Sequence, residues 1–519
     1  MDRGTAVSAS TLVLTVSGSA RSTSGAQGAT LGDSRHVHCA MRQQLVALFL
    51  LPTAGACSLL YNPNNLEKGT IDAEVPADMF VADADPSMLA VLDVGPHILL
   101  EGQGTGGSRP AILTIRGHHF VDGVQVQLIA PGGEAVMFVV DNNNIVVAPG
   151  RDVIAVPVSL PVDVTRGPGL VQLWVKVTQG AVSRTLEGRL ELRNLNELGD
   201  AAVTDSALLD SLYSRIDHPT LITFAVTPNK PAAVFRAVSS IVFGDITANA
   251  TAAAAGPGGS IGGAVGAQGS GSGGGQPGSV TGGAGGAGFS SAGGIGAGTG
   301  GAGGILLGEP LIKSYATNHG SGGGGGSGSV GGGSGGTVEI TAGGTVRVGR
   351  IEVNGANAAA GGVSGGGGGA GGVVLIRAGT SAELTGAITA NPGAGSTGTG
   401  LAGGSGRSGR IRIDVPLVIG SPQITPPAHN GVSMDPTSPR STRNLVQPIT
   451  SYGTLGDAFS VFVLNADGTS TSQSMATFGT TTININPTLS DGYNRVCVTP
   501  NTNAAIEEAT NCIDIAYLP

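Results

Sequence analysis

Four cysteines carry the most reactive side chains of the chain: Cys39, Cys57, Cys497 and Cys512. A thiolate is a strong nucleophile and, in an oxidising compartment, half of a disulfide. Cys57 ends the run Thr53-Ala54-Gly55-Ala56-Cys57, small residues that a processing peptidase can seat, and it is the only strong nucleophile nearby that can take an acyl group. Cys497 and Cys512 stand in the last two apolar segments. Joining them closes a loop of about fourteen residues, worth roughly 3 kcal/mol in the loop-entropy account; a free buried pair is the alternative.

The carboxylates point away from catalysis. Glycan cleavage needs clustered acids, or acids with Lys or Arg. Residues 251–410 contain no Asp, and their only acids are Glu309, Glu339, Glu352 and Glu383. A groove would have to gather Glu339, Glu352, Arg350 and Arg377, and in the next repeat Thr389 takes the place of Glu352. Asp72, Asp83 and Asp85 lack the spacing of a calcium loop. His118 and His119 are adjacent, so strand geometry sends them to opposite faces. Gly332-Gly333-Ser334-Gly335-Gly336 fits a nucleophile elbow in letters but lacks the strand-to-helix frame that an elbow needs. No catalytic, cofactor-binding or metal-ligating residue is therefore assigned, and no cofactor is expected.

These residues must be placed by a chain of 519 residues with 12% charged side chains, 3% aromatics and a net charge of −9. No basic stripe interleaves with aromatics, so nucleic acid is not an expected partner. Leu45–Cys57 is an apolar run too short for a spanning helix but suited to a signal-peptide core. With Cys57 it resembles the lipobox of bacterial lipoproteins, departing from it at Ala54, where leucine is usual. The resemblance implies a signal peptide at 41–56, a diacylated Cys57 and a membrane partner reached through lipid. Plain secretion, with cleavage after Ala54 or Ala56, is the alternative. Residues 1–40 read as an extension ahead of a start at Met41, and 57–94 as a polar tether.

From Ile112 onward short alternating segments recur about every ten residues between Gly, Pro, Asp and Asn turns, the pattern of a β-sandwich. Trp174 is expected in its core. Leu113–Leu128 and Arg166–Val177 resemble the IPT/TIG immunoglobulin-like family, which implies an extracellular spacer or contact module over 95–198. A connector is expected at 199–234.

Residues 241–410 hold 62 of the 91 glycines without a strict three-residue period, which excludes a collagen triple helix. A longer repeat is present instead. The frame G-x-I-x-[AV]-N occurs at Gly244–Asn249, Gly349–Asn354 and Gly386–Asn391. The last two copies are 37 residues apart; the first two are 105 apart, close to three such steps. Strands at Thr337–Ile340, Val373–Arg377 and Gly409–Asp414 keep a step of 36. Each unit reads as two strands, an Asn corner and a glycine loop, and stacked units can bury what one cannot. Over 235–416 this resembles the right-handed parallel β-helix and the glycine-rich surface proteins of bacteria. For 256–304, long loops, disordered tails and packed polyglycine-II strands all remain open. A second immunoglobulin-like sandwich follows at 421–519; Gly492–Ile515 is similar to the closing hairpin of bacterial cell-adhesion domains.

The expected fold class is thus all-β: an Ig-like sandwich, a glycine-rich parallel β-solenoid and a C-terminal Ig-like sandwich. The expected function is a non-catalytic, exported cell-surface or outer-membrane lipoprotein, structural or adhesive, that contacts glycan or protein. A polysaccharide-acting β-helix enzyme, and a secreted protein whose glycine region is a mere spacer, are the alternatives.

Overall fold

The computed structural model describes residues 88–131, 138–162, 168–198, 211–224, 231–307, 319–500 and 511–519. The protein is all-β over these residues, with two sandwiches and a parallel solenoid.

In the first sandwich one sheet runs Ala90–Gly95, Ala111–His118, Val153–Ser159, Val139–Val140, and the other runs Ile98–Leu100, Val182–Asn194, Gly169–Gln179, Gln125–Ile129. Alternation sets the inner face: Val126 and Leu128 are buried while Gln125 and Gln127 are exposed. Trp174 is not in that core. It alternates with the buried Leu173 and Val175, so it lies half-exposed on the opposite face.

The solenoid has three faces, each a parallel sheet. The first stacks Leu212–Tyr213, Ala233–Ala237, Thr337–Ala342, Val373–Ala378, Arg410–Asp414 and His429–Asn430. The second stacks Ile216–His218, Ile241–Phe243, Thr345–Val348, Ser381–Leu384 and Val418–Ile419. The third stacks Ile222–Thr223, Ile246–Thr247, Ile351–Glu352, Ile388–Thr389 and Ile424–Thr425. A coil thus has three strands, one more than the sequence pattern suggested. Like residues stack inside: Ile246, Ile351 and Ile388 occupy one register and are fully buried.

Two further features differ from the sequence reading. The first coil, from Leu212 to Thr223, lies within 199–234, the segment read as a connector; its strands are too short to show a period. And Ile246 pairs directly with Ile351, so the 105-residue interval is one step of the solenoid carrying an insertion, not three steps.

The C-terminal sandwich pairs Ser433–Met434, Ile449–Tyr452 and Thr482–Ile485 in one sheet. Its other sheet runs Ser441–Thr442, Cys512–Tyr517, Gly492–Thr499, Ala458–Leu464, Ser470–Thr477. Although the solenoid separates them in sequence, the two sandwiches touch. Ile112, Val153 and Ala155 pack on Ala516 and Leu518, and Arg116 Nη2 donates to Asp491 O at 2.6 Å. The first sandwich also meets the solenoid, where Thr345 Oγ1 donates to Gly106 O at 2.9 Å. The last sandwich meets its final coil through His429 Nε2 and Asp457 Oδ2, 2.6 Å apart.

Candidate functional site: a glycine-helix bundle on the solenoid

Between the third face of one coil and the first face of the next, the chain leaves the solenoid as glycine-rich excursions, described over 250–307 with 319–336, 354–372 and 391–409. Their backbone follows a rule that neither helix nor sheet obeys. The amides of Gly283 and Gly286 donate to Ala297 and Gly294; those of Ala284 and Ala287 to Gly365 and Gly368; those of Gly285 and Gly288 to Gln276 and Gly273. Successive residues thus address three different neighbours, and every third residue returns to the same one. Gly365, Gly368 and Gly371 likewise donate to Leu401, Gly404 and Arg407, while Gly367 and Ala370 donate to Gly324 and Ser321. Three residues per turn with no bonds inside the helix is the geometry of polyproline II. Of the three possibilities for 256–304, packed polyglycine-II helices are therefore the one adopted over 256–304.

Glycine is required here by close approach. A Cβ on Gly367 would land on the carbonyl of Gly285, and one on Gly285 would land on that of Ala302. Both obstacles are backbone and cannot swing away.

The bundle is tied to the solenoid by its asparagine corners. The Oδ1 of Asn249 accepts from Asn354 N at 2.6 Å, and that of Asn354 accepts from Asn391 N at 2.8 Å. The recurring Asn of the sequence frame is thus a ladder of side-chain acceptors, each holding the amide of the next coil. At the far end the turns gather. Gly266 N donates to Gly326 O, Thr299 N to Thr281 O, Val363 N to Ser327 O and Thr399 N to Gly362 O. This end exposes Val265, Val280 and Val363 at 56%, 65% and 50%, among the hydroxyls of Ser279, Thr281 and Thr299. Residues 251–307 contain no Asp, Glu, Lys, Arg or His.

The charged residues weighed for catalysis are divided. Glu339 and Arg377 lie on the first face, 3.5 Å apart and almost fully buried. Arg377 Nε is also 3.5 Å from Asp414 Oδ2, and Asp414 Oδ1 takes Arg412 Nε at 2.6 Å. Two acids and two arginines thus form a neutral buried chain across three coils, against which Gly431 leaves no room for a side chain. Arg350 and Glu352 lie on the third face, 3.2 Å apart and partly exposed. The four do not share a groove. Sequence reasoning missed Arg412 and Asp414, although Arg410-Ile411-Arg412-Ile413-Asp414 shows the alternation that puts them on one face.

Elsewhere, His118 ends its strand and His119 takes a left-handed φ of 62°. Arg109 is half-buried and donates to Ser438 O of the last sandwich at 2.7 Å; desolvation pushes its pKa down to about 10, against the pull of Asp514. Cys497 and Cys512 face each other in register and are disulfide-bonded, with Cα atoms 4.1 Å apart. Cys57, the signal segment 41–56 and Asp72, Asp83 and Asp85 lie outside the described residues. Among the described residues no helix is long and apolar enough to cross a membrane.

All-β architecture with a parallel solenoid bearing a glycine-helix bundle is the class that this fold defines. No family model, curated protein or solved structure matches the chain.

Proposed function

We propose that the protein is an exported, non-catalytic cell-surface lipoprotein, held to the outer membrane or cell surface by a diacylated Cys57 and working as an adhesive or structural module. The IPT/TIG-like first sandwich serves as a spacer, and the glycine bundle presents its turn end to glycan or protein.

The observation that carries this reading is the longest glycine-helix stretch, 251–307, which holds no charged side chain. The bundle's interior is backbone bonded to backbone, so side chains are displayed at its rim, and the turn end presents Val265, Val280 and Val363 with neighbouring Ser and Thr hydroxyls. Such a surface suits neutral ligands, which are held by apolar contact and hydroxyl hydrogen bonds. It supplies no proton donor or nucleophile of adjusted pKa. The division of Glu339 and Arg377 from Glu352 and Arg350 favours the same reading.

Two measurements test it. Mass spectrometry of the mature chain is expected to find a diacylated amino-terminal Cys57; a mature chain without that modification removes the anchor. Cells displaying Val280→Asp with Val363→Asp are expected to lose adherence to glycan- or protein-coated surfaces that the unaltered protein supports. Undiminished adherence would remove the bundle from the contact.

A further inference from the structure

Among the described residues, the bundle has a free edge. Its outermost helix, residues 300–307, donates from Gly301, Gly304 and Leu307 to Gly283, Gly286 and Phe289. Among the described residues, the amides between them have no acceptor: Ala302 and Ile305 form one row, Gly303 and Leu306 another. Ala302, Ile305 and Leu306 are exposed, the last two at 61% and 55%, and the adjoining helix adds Ile295 at 74%. This is the edge-strand problem in another geometry: among the described residues, amide donors without acceptors at regular spacing, flanked by aliphatic side chains. Natural sheet edges are usually blunted with lysine or proline. From Ser291 to Leu307 there is neither.

We propose that this edge pairs with the same edge of a second copy of the chain. Three observations select that occupant. Within the molecule, one glycine helix already binds the next through this kind of face, so an added helix continues an existing packing. A second copy presents its rows at the same three-residue spacing. Its edge is equally uncharged, whereas much of the surface elsewhere carries the charges of a −9 protein. A two-fold axis lying across the helices brings identical helices together antiparallel. The bundle contains that arrangement too, since Gly283 and Gly286 donate to Ala297 and Gly294 in reverse order. The pairing does not depend on the lipid anchor or on any glycan or protein ligand.

Sedimentation velocity tests it on the full chain carrying Cys57→Ser, so that no acyl group can drive association. Reversible dimerisation is expected. Ala302→Lys with Ile305→Lys, both at exposed positions, is expected to weaken it about tenfold or more, because two sets of like charges would meet at the contact. Val280→Lys, at the turn end, is expected to leave it unchanged, and circular dichroism checks that each variant folds. A parent that stays monomeric up to its solubility limit overturns the proposal. So does an edge variant that associates like the parent, or a turn variant that weakens association as much as the edge variant.

Discussion

The solenoid and the glycine bundle are made from the same turns of chain, yet they bury their backbones by opposite means. In a coil, each strand bonds to two neighbours and its side chains fill the interior; Ile246, Ile351 and Ile388 exclude water there. In the bundle, a helix such as 283–289 donates to three neighbours and accepts from three others, and the absence of side chains lets them approach. The coil is held mainly by apolar burial, at roughly 25 cal/mol per Å². The bundle offsets the chain entropy of glycine, about 0.5–1 kcal/mol per residue relative to alanine, with hydrogen bonds of about 0.5–1.5 kcal/mol each. One region should therefore fail when side chains are removed, the other when they are added.

The largest effect is expected from adding one methyl inside the bundle. Gly367→Ala would drive Cβ into the Gly285 carbonyl, and we expect a loss of about 4 kcal/mol, at the upper end for overpacking. Hydrogen exchange is expected to show Gly283–Gly288 and Gly322–Gly325 losing protection while Val374–Ala378 keep theirs. Gly266→Ala is the control. Its φ is 68° but nothing lies within 4 Å, so only about 1 kcal/mol of backbone strain is expected. Equal losses at the two sites would break the comparison.

The converse change is Ile388→Ala in the solenoid, fully buried between Ile351 and Ile424. Deleting that side chain is expected to cost about 3 kcal/mol, seen in denaturant unfolding. Protection should fall along the third face before it falls in the bundle. An unchanged midpoint would mean that stacked isoleucines are not what holds the coils.

Much of this contrast was legible in the letters, and the exceptions have physical causes. The G-x-I-x-[AV]-N frame located the third face because inward isoleucines and corner asparagines are fixed by stacking. The middle strand of each coil was not read, since Thr345–Val348 and Ser381–Leu384 share a register but hardly a residue. The 105-residue interval looked like three steps because a coil's length says nothing of an excursion inserted in it. The glycine helices do carry a signal: Gly282–Ala287 and Gly300–Ile305 are pairs of G-G-x triplets. Testing the whole region for a strict three-residue period hid these short runs, because turns reset the phase between helices. Trp174 was misplaced because size favours burial, whereas alternation with Leu173 and Val175 decides the face. Arg412 and Asp414 were passed over because burial of charge is invisible until a partner is known.

A smaller effect is expected where the two regions join. Asn354→Ala would remove the acceptor that holds Asn391 N at 2.8 Å, costing about 1 kcal/mol, the net worth of one such bond. Exchange at the Asn391 amide should accelerate, with little change deep in either region. A loss as large as that for Ile388→Ala would mean that the ladder, rather than either interior, sets the stability of the coils.

The smallest effect comes from acid. Asp467, in the turn between Ala458–Leu464 and Ser470–Thr477, is held below the usual carboxylate range chiefly by the Thr469 amide, which donates to Oδ1 at 2.8 Å, while burial opposes the shift. A carboxylate lowered in the folded state stabilises above its unfolded pKa, and that stability is lost as pH falls through the folded one. Lowering the pH below the carboxylate range should therefore loosen this turn slightly, and Asp467→Asn should remove that response. Residues 251–307 hold no titratable side chain of their own. After correction for intrinsic exchange, their amides should keep the same protection at both pH values. A bundle that opened in step with the turn would depend on charges outside it, and the claim that its backbone is its own core would fail.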